Sequence, residues 1–191
     1  MKITSTSEKR FGKAALDQLY RGIRREGRPL LFLDFDDVIC LSKPYGGYDV
    51  FAPEHPADLW EKLWHQPAVA VLRDVLKTYD PQVVLSTSWL RMMEREGFEQ
   101  VFARTQLHDL SAALHPQWEA PPQRGDTRCQ AIERWLAARY EGQRLVVFDD
   151  AYSGTGLKGS RLDKAGCVVL CDVGVGLHEG LMPQVHKAMS F

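Results

Sequence analysis

The sequence lacks an apolar run of the roughly 18 residues that a membrane-spanning helix needs, and it shows no apolar signal region. Neither a membrane partner nor secretion is therefore expected. Cysteine is scarce, with 4 residues and no CxxC pair, so neither a disulfide framework nor a cysteine-based zinc site is predicted. The four cysteines are expected to be reduced core residues, which favours a cytoplasmic location.

The sequence also lacks a strong excess of charge of either sign, because it has 24 Lys and Arg residues and 25 Asp and Glu residues. Residues 1–28 are an exception, with eight basic residues against three acids. Phe11, Ala15, Leu19 and Ile23 recur there at every fourth position, which predicts a basic amphipathic helix over about residues 7–26. A docked helix with a solvated basic face is favoured over one that binds an anionic polymer.

Short apolar runs alternate with helical patterns along the rest of the chain. Strands are predicted at residues 30–34, 82–87, 144–149 and 167–171. Such alternation is typical of an α/β fold with a central, mainly parallel sheet covered by helices on both faces, a Rossmann-like three-layer αβα sandwich. With 191 residues and 45% hydrophobic content, the chain is predicted to form a single domain, 1–191.

Acidic residues follow two of these predicted strands directly. Asp34 and Asp36 come after one apolar run, and Asp149 with Asp150 comes after another. An acidic turn that caps a strand would explain one such run, but two independent runs favour a shared site. Ligands of open α/β sheets bind outside the carboxyl ends of strands, where clustered carboxylates must gather a cation or repel each other.

Hydroxyl and basic residues complete the pattern. The strand at 82–87 ends in Ser86 and Thr87, whose hydroxyls are suited to a phosphate oxygen. Arg128 opens a predicted helix, because Thr127 and Gln130 form a capping-box pattern before an apolar stripe. A cation in the first turn opposes the helix dipole, and an anion bound by both would resolve that conflict.

The order of acids, hydroxyl, basic residue and acid pair over residues 28–190 resembles the haloacid dehalogenase (HAD) superfamily of phosphohydrolases. The resemblance implies a magnesium-dependent phosphatase, a phosphomonoester hydrolase that acts through an aspartyl-phosphate intermediate. Asp34 would be the nucleophile, Asp36 the general acid and base, and Thr87 the phosphate-binding hydroxyl, with Ser86 as its substitute. The implied metal ligands of Mg²⁺ are Asp34, Asp149, Asp150 and the backbone of Asp36.

One motif departs from the family pattern. The expected Lys is absent, since no Lys lies between Thr87 and Leu145, and Arg128 is the candidate to fill its role. Arg124 and Lys158 are alternatives. Because of this departure, a catalytically weak or inactive HAD-like binding module remains an alternative function. The intact acids argue against that alternative. A glycosyltransferase would not need the second acid pair, and a phosphoreceiver domain has a different motif order.

The segment between residues 40 and 66 is too short for a full cap domain and predicts a lid-like insertion. An open site admits a phosphorylated substrate of unknown size: a nucleotide, a nucleic-acid end or a protein phosphate. The run Ser86-Thr87-Ser88-Trp89 resembles the small HAD domains of bacterial RNA-repair proteins, so nucleic acid is one candidate partner. No particular oligomeric state is predicted.

Three further segments are predicted without a site role. His108 and His115 are expected in a surface loop, and a helix starting near Trp89 is expected to be interrupted at Gly97. The run 153–160 has glycines but no GK[ST] ending, which indicates a flexible loop and not a phosphate loop.

Overall fold

A computed structural model describes residues 5–190 of the protein, with the side chains described from residue 12 to residue 190. Its sheet has five strands in the order β3-β2-β1-β4-β5, and every neighbouring pair is parallel. The strands are β1 (Leu30–Leu33), β2 (Gln82–Leu85), β3 (Leu114–Glu119), β4 (Leu145–Asp150) and β5 (Val168–Cys171). The predicted α/β class is confirmed.

Helices cover both faces of this sheet. They are α1 (Ser5–Leu19), α2 (Gly47–Phe51), α3 (Leu59–Lys62), α4 (Gln66–Tyr79), α5 (Arg95–Arg104), α6 (His108–Ala113), α7 (Arg128–Arg139), α8 (Arg161–Lys164) and α9 (Met182–Met189). Two short 3-10 helices span Ser88–Arg91 and Glu179–Leu181. No helix of the described chain is long and apolar enough to cross a membrane.

The alternation of side chains along the strands produces two separate cores. Leu31 and Leu33 of β1 face the core formed with α4, α5, α6 and α9, while Leu30 and Phe32 face the core formed with α1, α7 and α8. All four of these side chains are fully buried. This arrangement is the predicted three-layer αβα sandwich, with strands that are apolar on both faces because helices cover both.

The first helix is shorter than predicted. It ends at Leu19 instead of near residue 26, because the chain turns at Gly22, which has a left-handed φ of 77°. Its Gly12 lies so close to α7 that an added Cβ would sit 2.5 Å from the Ala137 carbonyl oxygen. The basic side chains of residues 5–11 fall outside the described side chains, so the solvated basic face stays a prediction.

Strand β3 was not predicted. The region 107–125, in which His108 and His115 are predicted to lie in a surface loop, contains α6 and β3. The surface-loop prediction for His108 and His115 is wrong, because His108 begins α6, and half-buried His115 lies in β3 with its ring 5.1 Å from that of Trp135. Strand β3 is an edge strand with mostly exposed side chains, and Pro116 is tolerated at such an edge.

The segment after β2 also differs from the prediction. The chain forms a 3-10 helix at Ser88–Arg91, breaks, and begins α5 at Arg95. Gly97 therefore lies inside α5 and does not interrupt a helix. Thr87 caps the 3-10 turn, because its hydroxyl oxygen accepts a hydrogen bond from the Trp89 backbone N–H at 3.3 Å. This turn places Trp89 beside the loop that follows β1.

Residues 40–66 contain α2 and α3 and no full cap domain. Trp64 from this segment, here called the lid, stacks on Trp89 with ring centroids 5.7 Å apart. Gly47 approaches Trp89 so closely that a Cβ there would meet the indole nitrogen at 2.8 Å. The lid is thus packed against the strand-end loop by aromatic contacts.

Candidate active site

Three buried carboxylates converge at the carboxyl edge of the sheet. Asp34 directly follows β1, and Asp149 and Asp150 end the neighbouring strand β4. A ligand atom from each of the three lies within 4.8 Å of the others. All three side chains are at most 2% exposed. Because β1 and β4 are adjacent and parallel, their ends meet, and the two acidic runs of the sequence become one cluster.

Arg128 is the cation that faces this cluster. Its Nη2 atom donates a hydrogen bond to Asp34 Oδ2 at 3.1 Å. Its Nε atom lies 2.9 Å from Asp149 Oδ2, but the N–H is not directed at that oxygen, so this contact is an ion pair without a hydrogen bond. The predicted capping box of Thr127 and Gln130 is present, and it starts α7 so that the first helical residue enters the site.

Ser153 is a site residue that the sequence prediction missed. Its hydroxyl lies 3.0 Å from Asp34 Oδ2 and 3.3 Å from Asp149 Oδ1, and it also makes a short contact with Asp150 Oδ2. The run 153–160, predicted as a flexible loop, contains no helix or strand, and Ser153 and Thr155 of this loop make hydrogen bonds at the site. Thr155 of the same run binds the N-terminus of α7, because its hydroxyl accepts from the Arg128 backbone N–H at 2.9 Å.

The cluster has the properties of a divalent cation site. Three carboxylates against one guanidinium leave an excess of negative charge in a buried place. Asp34 Oδ1 and Asp149 Oδ2 are buried and have no hydrogen-bond partner among the described residues. Burial and the nearby charge of Asp34 raise the pKa of Asp149 well above its usual value. Hard cations such as Mg²⁺ prefer carboxylate oxygens of this kind.

Asp36 is held apart from the carboxylate cluster. Its two oxygens accept hydrogen bonds from the Trp89 indole N–H at 3.0 and 3.2 Å, and Ser88 Oγ donates to it at 3.2 Å. Burial and the charge of Asp34 raise the pKa of Asp36. The protonated form is therefore favoured relative to an exposed Asp, as a general acid requires. Ligation of a metal by the Asp36 backbone stays a prediction.

The two hydroxyls after β2 are both fully buried. Thr87, the predicted phosphate-binding residue, already accepts a bond from the Trp89 backbone. Ser86 Oγ has no hydrogen-bond partner among the described residues. Because buried hydroxyls are normally satisfied, Ser86 has more unused hydrogen-bonding capacity than Thr87.

A comparison with known protein families identifies the group to which this architecture belongs. Residues 30–181 match the model of the HAD domain in Swiss Army Knife RNA repair proteins. The chain belongs to this HAD family. No significant match was found among curated proteins, and none among solved structures.

Within the HAD pattern, the structure separates the three candidates for the missing Lys. Arg128 is 8% exposed and contacts two of the acids. Arg124 and Lys158 are exposed. The local signal that distinguishes Arg128 is the capping box, which fixes the start of α7.

Asp37, which also follows β1, lies outside the HAD carboxylate cluster. It adopts a left-handed φ of 53°, and its Oδ1 accepts a hydrogen bond from the Gly174 backbone N–H at 2.7 Å. This contact joins the loop after β1 to the loop after β5. Asp37 therefore has a structural role at the edge of the site.

Proposed function

We propose that this HAD domain is a magnesium-dependent phosphatase that hydrolyses phosphomonoesters through an aspartyl phosphate on Asp34. The observation that carries the proposal is that Asp34 contacts the Arg128 guanidinium and lies in one cluster with Asp149 and Asp150. A nucleophilic carboxylate needs cations beside it, because the phosphoryl group that it attacks is also anionic. Arg128 is one such cation, and a metal ion held by the carboxylates would be another. Mg²⁺ held by Asp34, Asp149 and Asp150 would neutralise charge on the transferring group and orient it.

In the first step, an Asp34 oxygen attacks phosphorus and the bond from phosphorus to the ester oxygen breaks. The leaving oxygen receives a proton from Asp36, whose raised pKa favours the protonated form needed at this stage. The products of the step are the alcohol, an acyl phosphate on Asp34 and ionised Asp36.

In the second step, water attacks the same phosphorus and the bond to Asp34 breaks. Asp36 accepts the proton of that water, which restores both carboxyl groups to their starting states and releases inorganic phosphate. The hydrogen bonds from Trp89 and Ser88 stabilise the ionised form of Asp36 between the two steps.

The phosphoryl oxygens need donors as well as charge. Arg128 supplies a guanidinium whose planar fork matches phosphate geometry. Thr87 is proposed to donate to a phosphoryl oxygen, and the unpaired hydroxyl of Ser86 is the alternative. These groups are fixed by the fold before substrate arrives, which is the main source of rate in phosphoryl transfer.

The proposal leaves the substrate class as a nucleotide, a nucleic-acid end or a protein phosphate. It includes a cytoplasmic location, which the four free, buried cysteines favour because thiols persist in a reducing compartment.

The test is phosphate release from a panel of small aliphatic and aryl phosphates, nucleotides, phosphopeptides and phosphorylated oligonucleotides. Each is assayed with magnesium and with a chelator. The proposal expects magnesium-dependent release that is abolished by Asp34→Asn. Asp37→Asn is the matched control, because it changes a neighbouring carboxylate whose acceptor oxygen for Gly174 is retained.

Normal turnover by Asp34→Asn would reject the nucleophile assignment. No release from any substrate by a folded wild-type protein would reject the phosphatase and favour an inactive HAD-like binding module. Binding of inorganic phosphate to each variant, measured without turnover, would separate loss of chemistry from loss of phosphate binding.

A further inference from the structure

Large apolar side chains are exposed in an uneven way on this protein. Six are exposed in the described chain, and five of them lie on segments that follow the carboxyl ends of strands: Tyr48, Met92, Tyr152, Val173 and Val175. Ile23 is the exception. Tyr48 and Tyr152 are the most exposed, at 94% and 85%. Apolar surface concentrated around a site points to a ligand that covers it.

Each tyrosine lies next to a backbone group that contacts a residue of the proposed site. Tyr48 follows Gly47, which lies against the Trp89 indole that donates to Asp36. Tyr152 follows β4, and its backbone N–H donates to Asp150 Oδ1 at 2.7 Å. The two tyrosines therefore lie on segments that follow β1 and β4, the neighbouring strands whose ends carry the carboxylates of the proposed phosphate site.

Val173 and Val175 lie on a loop beside the same site. The loop that carries Val173 and Val175 is tied to the loop after β1, since Gly174 donates to Asp37 at 2.7 Å and Leu177 donates to the Val38 carbonyl at 2.8 Å. These bonds hold the loop after β5 beside the site.

Exposed cations accompany the tyrosines. Lys43, Arg91, Arg124 and Lys158 are exposed on the segments after β1, β2, β3 and β4, and none has an ion-pair partner within residues 12–190. Exposed acids also lie on the segments that follow the strands: Glu54 and Glu61 after β1, Glu94 after β2, and Asp172 and Glu179 after β5. A ligand with several phosphates would pair with these four cations, which have no ion-pair partner of their own among residues 12–190.

We infer that Tyr48 and Tyr152 form a stacking rim for the terminal bases of a single-stranded nucleic acid whose end phosphate enters the Asp34 site. This inference rests on the proposed phosphatase function and selects one of its substrate classes. Aromatic side chains stack on any base, so they bind a strand end without reading its sequence. Tyr48 and Tyr152 are specificity-determining residues that do not contact the reacting phosphorus.

A phosphorylated protein fits these observations less well. The residues beside a phosphorylated side chain need not be aromatic. The rings of Tyr48 and Tyr152 would therefore have no planar group that is always present to stack on. A polynucleotide carries a planar base at a fixed distance from every phosphate, and its further phosphates match the exposed cations.

The test is a binding cycle with Asp34→Asn protein, which retains substrate. Fluorescence anisotropy measures affinity for short labelled RNA and DNA strands phosphorylated at the 5′ or the 3′ end, with magnesium. Tyr48→Ala and Tyr152→Ala are expected to weaken binding roughly 5- to 150-fold for each stacked base, while Tyr→Phe retains it. Ile23→Ala is the matched control, since it removes an exposed apolar side chain away from the rim.

Strands with abasic sites show whether a loss of binding is due to the loss of stacking on a base. Strands with an abasic terminal or penultimate nucleotide should bind the parent protein weakly, and the Tyr→Ala changes should weaken them no further. Equal losses on normal and abasic strands, or no loss on either, would overturn the inference. Tighter binding of phosphopeptides that depends on both tyrosines would assign the rim to a protein partner instead.

Turnover distinguishes this inference from the proposed function. In active protein, kcat/KM for the oligonucleotide relative to glycerol phosphate should fall in Tyr→Ala variants and not in Ile23→Ala. Release of phosphate with an unchanged ratio rejects the rim and retains the phosphatase. Tyrosine-dependent binding without any phosphate release retains the rim and rejects the phosphatase.

Discussion

Arg128 Nη2 lies 3.1 Å from Asp34 Oδ2, and the two side chains are 7% and 1% exposed. The same guanidinium is 2.9 Å from Asp149. One cation thus contacts both the proposed nucleophile and Asp149, a second proposed metal ligand. Removing one member of a buried charge group leaves the others without compensation, which is more harmful than removing the whole group.

Replacing Arg128 with Met should destabilise the metal-free protein by about 3–5 kcal/mol, because buried carboxylates then lack their cation. Magnesium should restore part of that loss by supplying charge. Urea denaturation with a chelator and with magnesium measures both effects.

Arg95→Met is the control for this substitution. It breaks an exposed ion pair with Glu99 one helical turn away, and the expected cost is below about 1 kcal/mol. Equal stabilities of the Arg128 and Arg95 variants in chelator would contradict the assigned role of Arg128.

The raised pKa of Asp149 predicts how stability depends on pH in chelator. The folded protein binds this proton more tightly than the unfolded chain, so the contribution is stabilising below the unfolded pKa and is lost as pH rises through the folded pKa. Asp149→Asn removes the titration. The thermal midpoint of the variant relative to wild type should therefore increase as pH rises from the ordinary Asp pKa of 3.8 through the raised folded pKa.

Asp126 provides a control of opposite sign. Arg134 lowers the pKa of Asp126, so its stabilisation is present at neutral pH and is lost as pH falls through the lowered folded pKa. Asp126→Asn should cost stability at neutral pH and approach wild type in acid. If the difference in thermal midpoint between wild type and Asp149→Asn did not change with pH, the pKa of Asp149 would not be raised by burial.

Local sequence patterns were sufficient to predict the central strands and most of the site. The acids after β1 and β4 converge because both runs are continuous apolar strands, and Arg128 was predicted because its capping box defines the start of α7. These features depend on residues that are neighbours in the chain. The HAD motif order added the expected roles.

The features that the sequence did not reveal depend on tertiary contacts. Strand β3 has no alternating apolar pattern, since it is an exposed edge strand whose pairing with β2 includes a register shift. Ser153 looked like part of a glycine-rich loop, and its role follows from a turn that brings its hydroxyl back to three carboxylates. The contact of Trp89 with Asp36 joins residues far apart in sequence.

Ser153→Ala should weaken magnesium binding roughly tenfold or more, because groups that orient metal ligands typically contribute that much. The hydroxyl contacts Asp34, Asp149 and Asp150 and so fixes their relative positions. Isothermal titration with magnesium alone measures the effect without turnover. Ser111→Ala, on α6, is the matched control, and an equal affinity in the two variants would exclude the positioning role.

Trp89→Phe should shift the pH profile of kcat/KM. Phenylalanine keeps an aromatic ring beside Trp64 and Phe35 but removes the N–H that donates to Asp36. That hydrogen bond lowers the pKa of Asp36 against the larger raising effect of burial, so its loss should raise the pKa further. Because the first step needs protonated Asp36, the alkaline limb of the profile should move to higher pH. Phe51→Leu, which changes another ring packed on Trp89 and leaves the N–H in place, should not move that limb. An unshifted limb in Trp89→Phe, with activity retained, would mean that Asp36 is not the group whose ionisation limits the reaction.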